Sequence, residues 1–283
     1  MKKLVNYTPH VKGRRTETVN DIDGFVSNFW RAVQADHLAV AAHADWPVNE
    51  RDLDARHYWL ITEGRAILDR IRGDADAYDA KVAGWWVWGL CSWIGSGFAD
   101  GAGPWQWGGE KWTKAEPGEG RTGVSRRLPH LGDAGRGINR GQGTIAAMLA
   151  PLAERLRDVR VASGDWARVC ADSVTDGRGQ TTAVFLDPPY ANAGRSAVYT
   201  HDCGSVAETC RAWAIEAGKR DTMRICLAGY ADEHDMPGDW TAYRWKANGG
   251  FSGQGDGQGR ENAAKETLWF SPHCLGVRQA VLI

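Results

Sequence analysis

The sequence predicts an α/β protein whose two halves are separated by a long insertion. Apolar runs of strand length alternate with amphipathic helical segments near both ends of the chain. The middle of the chain is instead rich in tryptophan, glycine and arginine. Alternation of strands and helices is typical of a largely parallel sheet with helices on both faces. Ligands of such sheets bind beyond the carboxyl ends of the strands.

The first strand is predicted at residues 16–19, and it ends at Asn20-Asp21. A helix is predicted over residues 24–34, because apolar side chains recur there at helical spacing. These side chains are Phe25, Val26, Phe29, Trp30 and Val33.

The second half repeats the alternation. Residues 182–186 form an apolar strand, residues 206–217 an amphipathic helix and residues 223–228 a second buried strand. Residues 241–245 and 266–270 are predicted to be two closing strands.

Tryptophans are concentrated in the middle of the chain, where seven lie between residues 85 and 112. Residues 85–90 predict a buried helix, so Trp85, Trp86, Trp88 and Trp93 are interpreted as core. Glycine and proline are frequent over residues 95–143, which predicts irregular loops. Trp105, Trp107 and Trp112 lie in that stretch, where they could either fill a small core or stack on an unpaired base.

Composition excludes several classes of protein. Of the 283 residues, 43% are hydrophobic and 24% charged, the balance of a globular protein. We expect no membrane span, because no apolar run approaches about 20 residues. The six cysteines are scattered and form no cluster with histidine, so we expect no metal site. The absence of a signal segment and of a disulfide pattern favours the cytoplasm.

One tetrapeptide, Asp187-Pro188-Pro189-Tyr190, follows directly after the apolar strand at residues 182–186. Prolines donate no amide protons, so acceptor groups dominate this turn. The Asp187 carboxylate and the Pro188 carbonyl could each accept one N–H of an exocyclic amine, and Tyr190 could stack on a base swung out of a duplex. The alternative is a plain turn that ends the strand.

This tetrapeptide resembles the catalytic motif of the Dam-like, D12-class DNA adenine N6-methyltransferases. Three further segments are similar to that family: residues 17–30, with their acidic motif and helix, residues 163–166 and residues 269–272. The resemblance implies a Rossmann-like methyltransferase sheet, S-adenosylmethionine as cofactor and an inserted target-recognition domain. The implied domains are residues 1–45, the insertion 46–160 and the catalytic part 161–283.

The resemblance also implies roles for single residues. Asp21, next to Asn20, would bind the ribose hydroxyls of the cofactor, and Asp165 would lie beside its adenine or methionine part. Two plainer interpretations remain open. Asp21 could serve as a carboxylate at a helix N-terminus, and Asp165 could belong to an ordinary Gly-Asp turn.

The front of the chain departs from the family, whose members carry an N-terminal glycine loop. Gly13 is the only glycine before Gly24, and only 20 residues precede Asp21. Because a βαβ unit needs about 30 residues, a first strand, glycine loop and helix do not fit there. We expect a shortened family member that binds the cofactor weakly unless a missing segment is supplied. That missing strand would lie between the strands that end at Asp21 and Leu186.

The expected partner is double-stranded DNA. The net charge is −1, yet residues 121–160 hold eight arginines against three acidic residues. The expected phosphate contacts are Arg126, Arg127, Arg136 and Arg140.

The predicted reaction is therefore methyl transfer to adenine N6 in DNA. One alternative is a DNA-binding relative that has lost its cofactor loop. Another is a methyltransferase that acts on a different amine, such as RNA adenine, cytosine N4 or a protein glutamine.

Overall fold

The computed structural model describes most of the chain outside the glycine-rich middle. The described residues are 16–72, 74, 76–92, 98–99, 144–176, 180–189, 206–244 and 266–274, with the backbone of 105–107 and 112–114. The described residues contain helices together with parallel and mixed sheets, so the predicted α/β class is confirmed at that level.

The first half begins with strand β1, Glu17–Asp21, followed by helix α1, Gly24–Ala44. Asp23 caps α1, since its carboxylate accepts the Phe25 amide proton at 2.8 Å. The predicted helix thus exists, but it continues ten residues farther than expected. It kinks at Asp36, whose backbone is not helical and whose carboxylate accepts the Ala39 amide proton at 2.9 Å. Asp36 therefore caps the second part of α1.

Four further helices follow in the first half. Asn49 caps α2 and Thr144 caps the last helix, each through its side-chain oxygen. The helices are α2 (Glu50–Trp59), α3 (Arg65–Ile71), α4 (Ala80–Ser92) and α5 (Ile145–Leu156), with a π-helical turn at Leu60–Gly64 between α2 and α3.

Two short strands lie where the glycine content predicted only irregular loops. Strand β2, Trp105–Trp107, pairs antiparallel with β3, Trp112–Lys114. The sequence predicted irregular loops rather than long elements over residues 95–143, and strands of three residues each are not long elements. Pairing between β2 and β3 satisfies backbone groups of these residues, which the glycine content alone does not predict.

The core of the first half forms where α1 packs against α4 and α5. Gly84 allows the close approach of α4, because a Cβ atom there would lie 2.5 Å from the His43 Cβ. Trp88 is fully buried and Trp85 and Trp86 are half-buried, which confirms the predicted core helix, while Trp93 lies outside the described residues. The largest fully buried side chains of this core are Trp88, Leu60, Ile145, Val33, Val40 and Val82.

This core includes residues on both sides of position 46, the predicted domain boundary. Helix α1 belongs to the predicted methyltransferase core and α4 and α5 to the predicted insertion. The division into domains remains a prediction.

The second half contains five elements close to their predicted positions (β5, α8, β6, β7 and β8) and three that the sequence did not predict (β4, α6 and α7). Strand β4 precedes two short helices, and β5 is separated from β6 by a 12-residue helix. The elements are β4 (Val159–Ser163), α6 (Trp166–Val169), α7 (Asp172–Thr175), β5 (Thr182–Leu186), α8 (Val206–Ala217), β6 (Met223–Tyr230), β7 (Thr241–Arg244) and β8 (Glu266–Phe270).

The described strands form two main sheets. Strand β1 pairs with β4 in parallel, with Asp21 opposite Ser163. Strand β5 pairs with β6 in parallel, and β8 and β7 extend that sheet with antiparallel pairing in the order β5-β6-β8-β7. Met223, Ile225 and Leu227 of β6 are fully buried beneath α8 and form the centre of a second core.

None of the helices in the described ranges is both long and apolar enough to cross a membrane.

A buried histidine connects the first core to the segment after α4. The ring of His57 accepts the Ala99 amide proton at Nδ1, over 3.0 Å, so it is neutral in the folded chain. Burial lowers the pKa of His57 to about 4, and the Arg65 charge adds to that effect. Protonation at Nδ1 would break this hydrogen bond.

We expect acidification to destabilise the protein through His57. The unfolded chain takes up this proton near pH 6.5 and the folded chain only near pH 4. Stability is therefore lost as pH falls between these values, by about 2 kcal/mol at pH 5. His57→Gln cannot gain the proton, so its free energy of unfolding should be lower than that of wild type at pH 7 but should fall less between pH 7 and pH 5. Urea unfolding at both pH values measures these free energies. An equal decrease in wild type and variant would contradict the role of His57 in the acid sensitivity.

Candidate active site

The carboxyl ends of β1 and β4 bring the predicted cofactor residues together. The Gly164 amide donates to the Asp21 carbonyl at 3.0 Å, and the Asn20 side-chain amide donates to the Gly164 carbonyl at 3.0 Å. The Asp21 carboxylate accepts the Asp23 amide proton at 2.8 Å. Parallel pairing thus places Asn20, Asp21 and Asp165 at one edge of the sheet, while their roles toward a cofactor remain predictions.

Two acceptor groups at this edge differ in what they contact. Asp165 is exposed and caps α6, since its carboxylate accepts the Ala167 amide proton at 2.8 Å. This is the turn role that the sequence left open. The Asn20 side-chain oxygen is buried and has no hydrogen-bond partner among the described residues. A buried acceptor without a donor is unfavourable.

The third set of predicted residues lies at the carboxyl end of β5. Leu186 is buried, Asp187 is exposed, Pro188 is buried and Pro189 is half-buried. Tyr190, the fourth residue of the motif, lies outside the described residues. The carboxylate of Asp187 is therefore accessible to a substrate at the end of the strand.

Two acidic side chains lie close enough to interact at this end of the second sheet. Burial raises the pKa of Glu266, the first residue of β8, and the Asp187 charge raises it further. Burial also raises the pKa of the Cys226 thiol to about 12, with smaller contributions from Cys274 and Asp187. The thiol is therefore neutral, and Glu266 is a functional candidate that sequence reasoning missed.

Sequence reasoning also missed Glu233 and His234, which follow β6. The Glu233 carboxylate accepts the Tyr230 amide proton at 3.0 Å. The buried His234 ring packs edge-on against Trp269, with centroids 5.2 Å apart, and its Nε2 has no partner within the described ranges. Gly229 permits this packing, because a Cβ atom there would lie 2.7 Å from that nitrogen. Burial lowers the pKa of His234, although the Glu233 charge partly opposes the shift.

The signal that could have identified these residues is the rule already applied to Asp187. Polar side chains that follow an apolar parallel strand lie at the edge where ligands bind. Glu233 and His234 follow β6 closely enough to satisfy it. Glu266 begins an antiparallel strand, so its placement depends on the pairing of β8 with β6, which no local pattern reveals.

The site residues of the two sheets are linked through α6 and α8. Trp166, next to Asp165, packs edge-on against Trp213 of α8, with ring centroids 5.9 Å apart. The pKa of the Cys210 thiol on α8 is about 12, raised by burial, then by Cys170 and by the Asp165 charge. The carboxyl end of β4 therefore lies near the helix that follows β5.

Strands β1 and β5 each pair on one side only among the strands that the structure describes. Phe185 of β5 is 62% exposed, a high value for a phenylalanine in the middle of a strand. Free strand edges with an exposed apolar side chain favour pairing with a further strand.

Several predictions concern residues beyond these sheets. Arg126, Arg127, Arg136 and Arg140 lie outside the described residues, so the predicted phosphate contacts remain predictions. Within the described ranges, no group of histidine, cysteine, aspartate and glutamate side chains is arranged to hold a metal ion.

Among known proteins, no family model and no curated protein matches this chain.

Gly164 lies in the turn after β4, where it precedes Asp165 and its amide donates to the Asp21 carbonyl. Its substitution tests whether this turn requires glycine. Its φ of +136° strongly favours glycine, and a Cβ atom there would lie 2.3 Å from the Arg168 Nη1. Gly164→Ala should therefore lower the free energy of unfolding by about 1–3 kcal/mol. Gly238→Ala is the matched control, since nothing lies within 4 Å of a Cβ atom at that position. Urea unfolding of both variants gives the comparison, and equal stabilities would contradict a special role for Gly164.

Proposed function

We propose that this protein is an S-adenosylmethionine-dependent methyltransferase that acts on adenine N6 in double-stranded DNA. The observation that carries the proposal is the exposed Asp187 carboxylate followed by Pro188 and Pro189 at the end of β5. Support comes from Asn20, Asp21 and Asp165, which lie together at the carboxyl ends of the other parallel pair.

The chain's own residues fit the cofactor that the motif implies. Asp21 offers a carboxylate for the ribose hydroxyls, and the buried Asn20 oxygen is an acceptor that still needs a donor. Asp165 is exposed beside them and would lie next to the adenine or methionine part. When bound, the cofactor supplies an electrophilic methyl group.

Asp187 and Pro188 would hold the substrate amine. The exposed carboxylate and the Pro188 carbonyl would each accept one N–H, so that the nitrogen lone pair would be less delocalised into the ring and would point at an electrophile. The amine itself would then be the nucleophile toward the methyl group of a bound cofactor, the remainder of which would leave as the neutral thioether. The proton lost by the nitrogen would pass to the Asp187 carboxylate or to water. No covalent enzyme–base intermediate would be required. Most of the rate gain comes from positioning and from a fixed electrostatic environment.

We propose further that cofactor binding requires an additional strand between β1 and β5. Both strands pair on one side only among the described residues, and their carboxyl ends lead into the two groups of site residues. A parallel strand there would give the strand order of a doubly wound sheet, with the ligand at the point where the order reverses. Residues 4–8, or a separate segment, are the candidates for that strand.

The alternative is a DNA-binding protein without methyltransferase activity. The eight arginines of residues 121–160 favour it, because they provide for phosphate contacts without requiring a reaction. This alternative predicts DNA binding without methyl transfer, whether or not a strand is supplied.

Substitution of Asp187 tests the catalytic assignment. Asp187→Ala should abolish methyl transfer from labelled cofactor to unmethylated DNA, because the amine loses its charged acceptor. Asp158→Ala is the matched control, since this carboxylate is also exposed but precedes β4 at the opposite edge of the sheet. Activity of Asp187→Ala within about tenfold of wild type, only ~1.4 kcal/mol of barrier, would overturn the assignment. Parallel assays with RNA and protein separate the substrate classes.

Calorimetry tests the need for an added strand. The 283-residue chain alone should bind S-adenosylmethionine weakly, and a peptide that carries an apolar strand and a Phe-x-Gly-x-Gly loop should restore binding. The same peptide with a proline in the middle of the strand should fail, because proline removes a backbone donor. Low-micromolar cofactor binding by the chain alone would contradict the proposal.

The arginine-rich segment is the proposed DNA contact. Alanine replacements at Arg126, Arg127, Arg136 and Arg140 should weaken DNA binding and reduce its salt dependence. With fewer phosphate contacts, binding releases fewer counterions from the DNA. Fluorescence anisotropy at several salt concentrations measures the slope. An unchanged slope would place the DNA contacts elsewhere.

A further inference from the structure

A cavity of about 390 Å³ lies at the C-terminal end of α1, between that helix, α2 and α4. Asp21 precedes the N-terminal end of α1, so the 21-residue helix separates this cavity from the candidate cofactor residues. The volume is within the range of small-ligand sites. The cavity is lined by Ala42, His43, Trp46, Asp52, Ala55, Arg56 and Trp85.

The most unusual lining residue is Arg56, which is only 8% exposed. Its guanidinium carbon lies 4.2 Å from the ring centroid of Trp88, 5.0 Å from that of Trp85 and 5.3 Å from that of Trp46. Contact with three indole faces offsets part of the loss of hydration of the charge.

Aromatic faces do not replace hydrogen-bond acceptors. The Nη1 atom of Arg56 is buried and has no acceptor among the described residues. A charged donor left in this state is unfavourable, because it has lost water and gained no partner. Because Arg56 lines the cavity, a planar ligand with an acceptor edge there would meet the guanidinium and contact the indole rings.

Asp52 provides the complementary acceptor. It lies one helical turn before Arg56 on α2, so the two side chains project from the same face. The Trp46 Nε1 and the Asn49 side-chain amide both donate to its Oδ2, which fixes the carboxylate and the Trp46 ring. Trp46 is nevertheless 48% exposed, so its indole surface remains available for stacking.

We propose that this cavity binds a guanine base. Arginine pairs with the O6 and N7 acceptors of guanine, and a carboxylate accepts from the neighbouring N1–H and N2 amino groups. Adenine presents an amino group where guanine has O6, so it would place a donor against Arg56. The stacking surface comes from Trp46 and Trp85, as in proteins that hold unpaired bases. This site is independent of the proposed methyl transfer.

Calorimetric titration of the full chain with GMP, AMP and CMP tests the proposal. Saturable binding with a preference for GMP is expected. A second arm uses single-stranded thymidine oligonucleotides that contain one dG or one dA. Binding of GMP indicates a free nucleotide as the source of the base, whereas a preference seen only with the dG oligonucleotide indicates an unpaired base in a strand. Either result supports a guanine site.

Two conservative variants locate the binding. Arg56→Lys keeps the charge but loses the planar fork, and it should weaken guanine binding about tenfold or more. Asp52→Asn should reduce the preference for guanine over adenine. The matched controls are Arg51→Lys and Asp54→Asn, which make the same changes at exposed positions of α2 outside the cavity lining.

The proposal is overturned if neither GMP nor the dG oligonucleotide binds with a preference over its adenine counterpart. It is also overturned if Arg56→Lys, folded as judged by circular dichroism, binds guanine as tightly as Arg51→Lys does.

Discussion

Parallel strand pairing is the constraint on which the site depends. Strand β1 pairs in register with β4, and β5 pairs in register with β6, so each pair ends at a common edge. The residues that follow these strands are acidic or rich in acceptors, and pairing gathers them although they lie far apart in the chain. Asn20 and Gly164 are 144 positions apart and share a hydrogen bond.

The two cores hold these edges in place by different means. In the first half, the C-terminal end of α1 packs closely against α4 at Gly84. Nearer Asp21, the Asn28 side chain of α1 exchanges two hydrogen bonds of 2.9 Å with the backbone of Asp79, which precedes α4. In the second half, the fully buried side chains of β6 pack beneath α8, and α8 in turn contacts Trp166. A site at the carboxyl ends therefore follows from packing that is remote from it. Among the described strands of the two main sheets, β1, β4, β5 and β7 each pair on one side only. Of these, β1 ends at Asp21 and β5 ends directly before Asp187, both candidate site residues.

Local sequence patterns predicted β5, α8, β6, β7 and β8, because these elements are short apolar or amphipathic runs bounded by turn residues, but they missed β4 and the short helices α6 and α7. Strand β5 and helix α8 have the predicted limits, and Asp187 follows β5 as expected. The patterns did not predict features that depend on a single side-chain hydrogen bond to the backbone or on the pairing of strands distant in sequence. The kink at Asp36 depends on a side-chain cap, and the position of Glu266 depends on antiparallel pairing. The burial of Arg56 depends on contacts between α2, α4 and Trp46 after α1, so no local sequence pattern predicts it.

The identity of the methylated base tests the central account most directly. DNA incubated with labelled S-adenosylmethionine, the 283-residue chain and the strand-supplying peptide can be digested to nucleosides and analysed by mass spectrometry. We expect label in N6-methyladenine, and none when Asp187 is replaced by alanine. Label in another nucleoside, or no label at all with DNA, RNA or protein, would contradict the account.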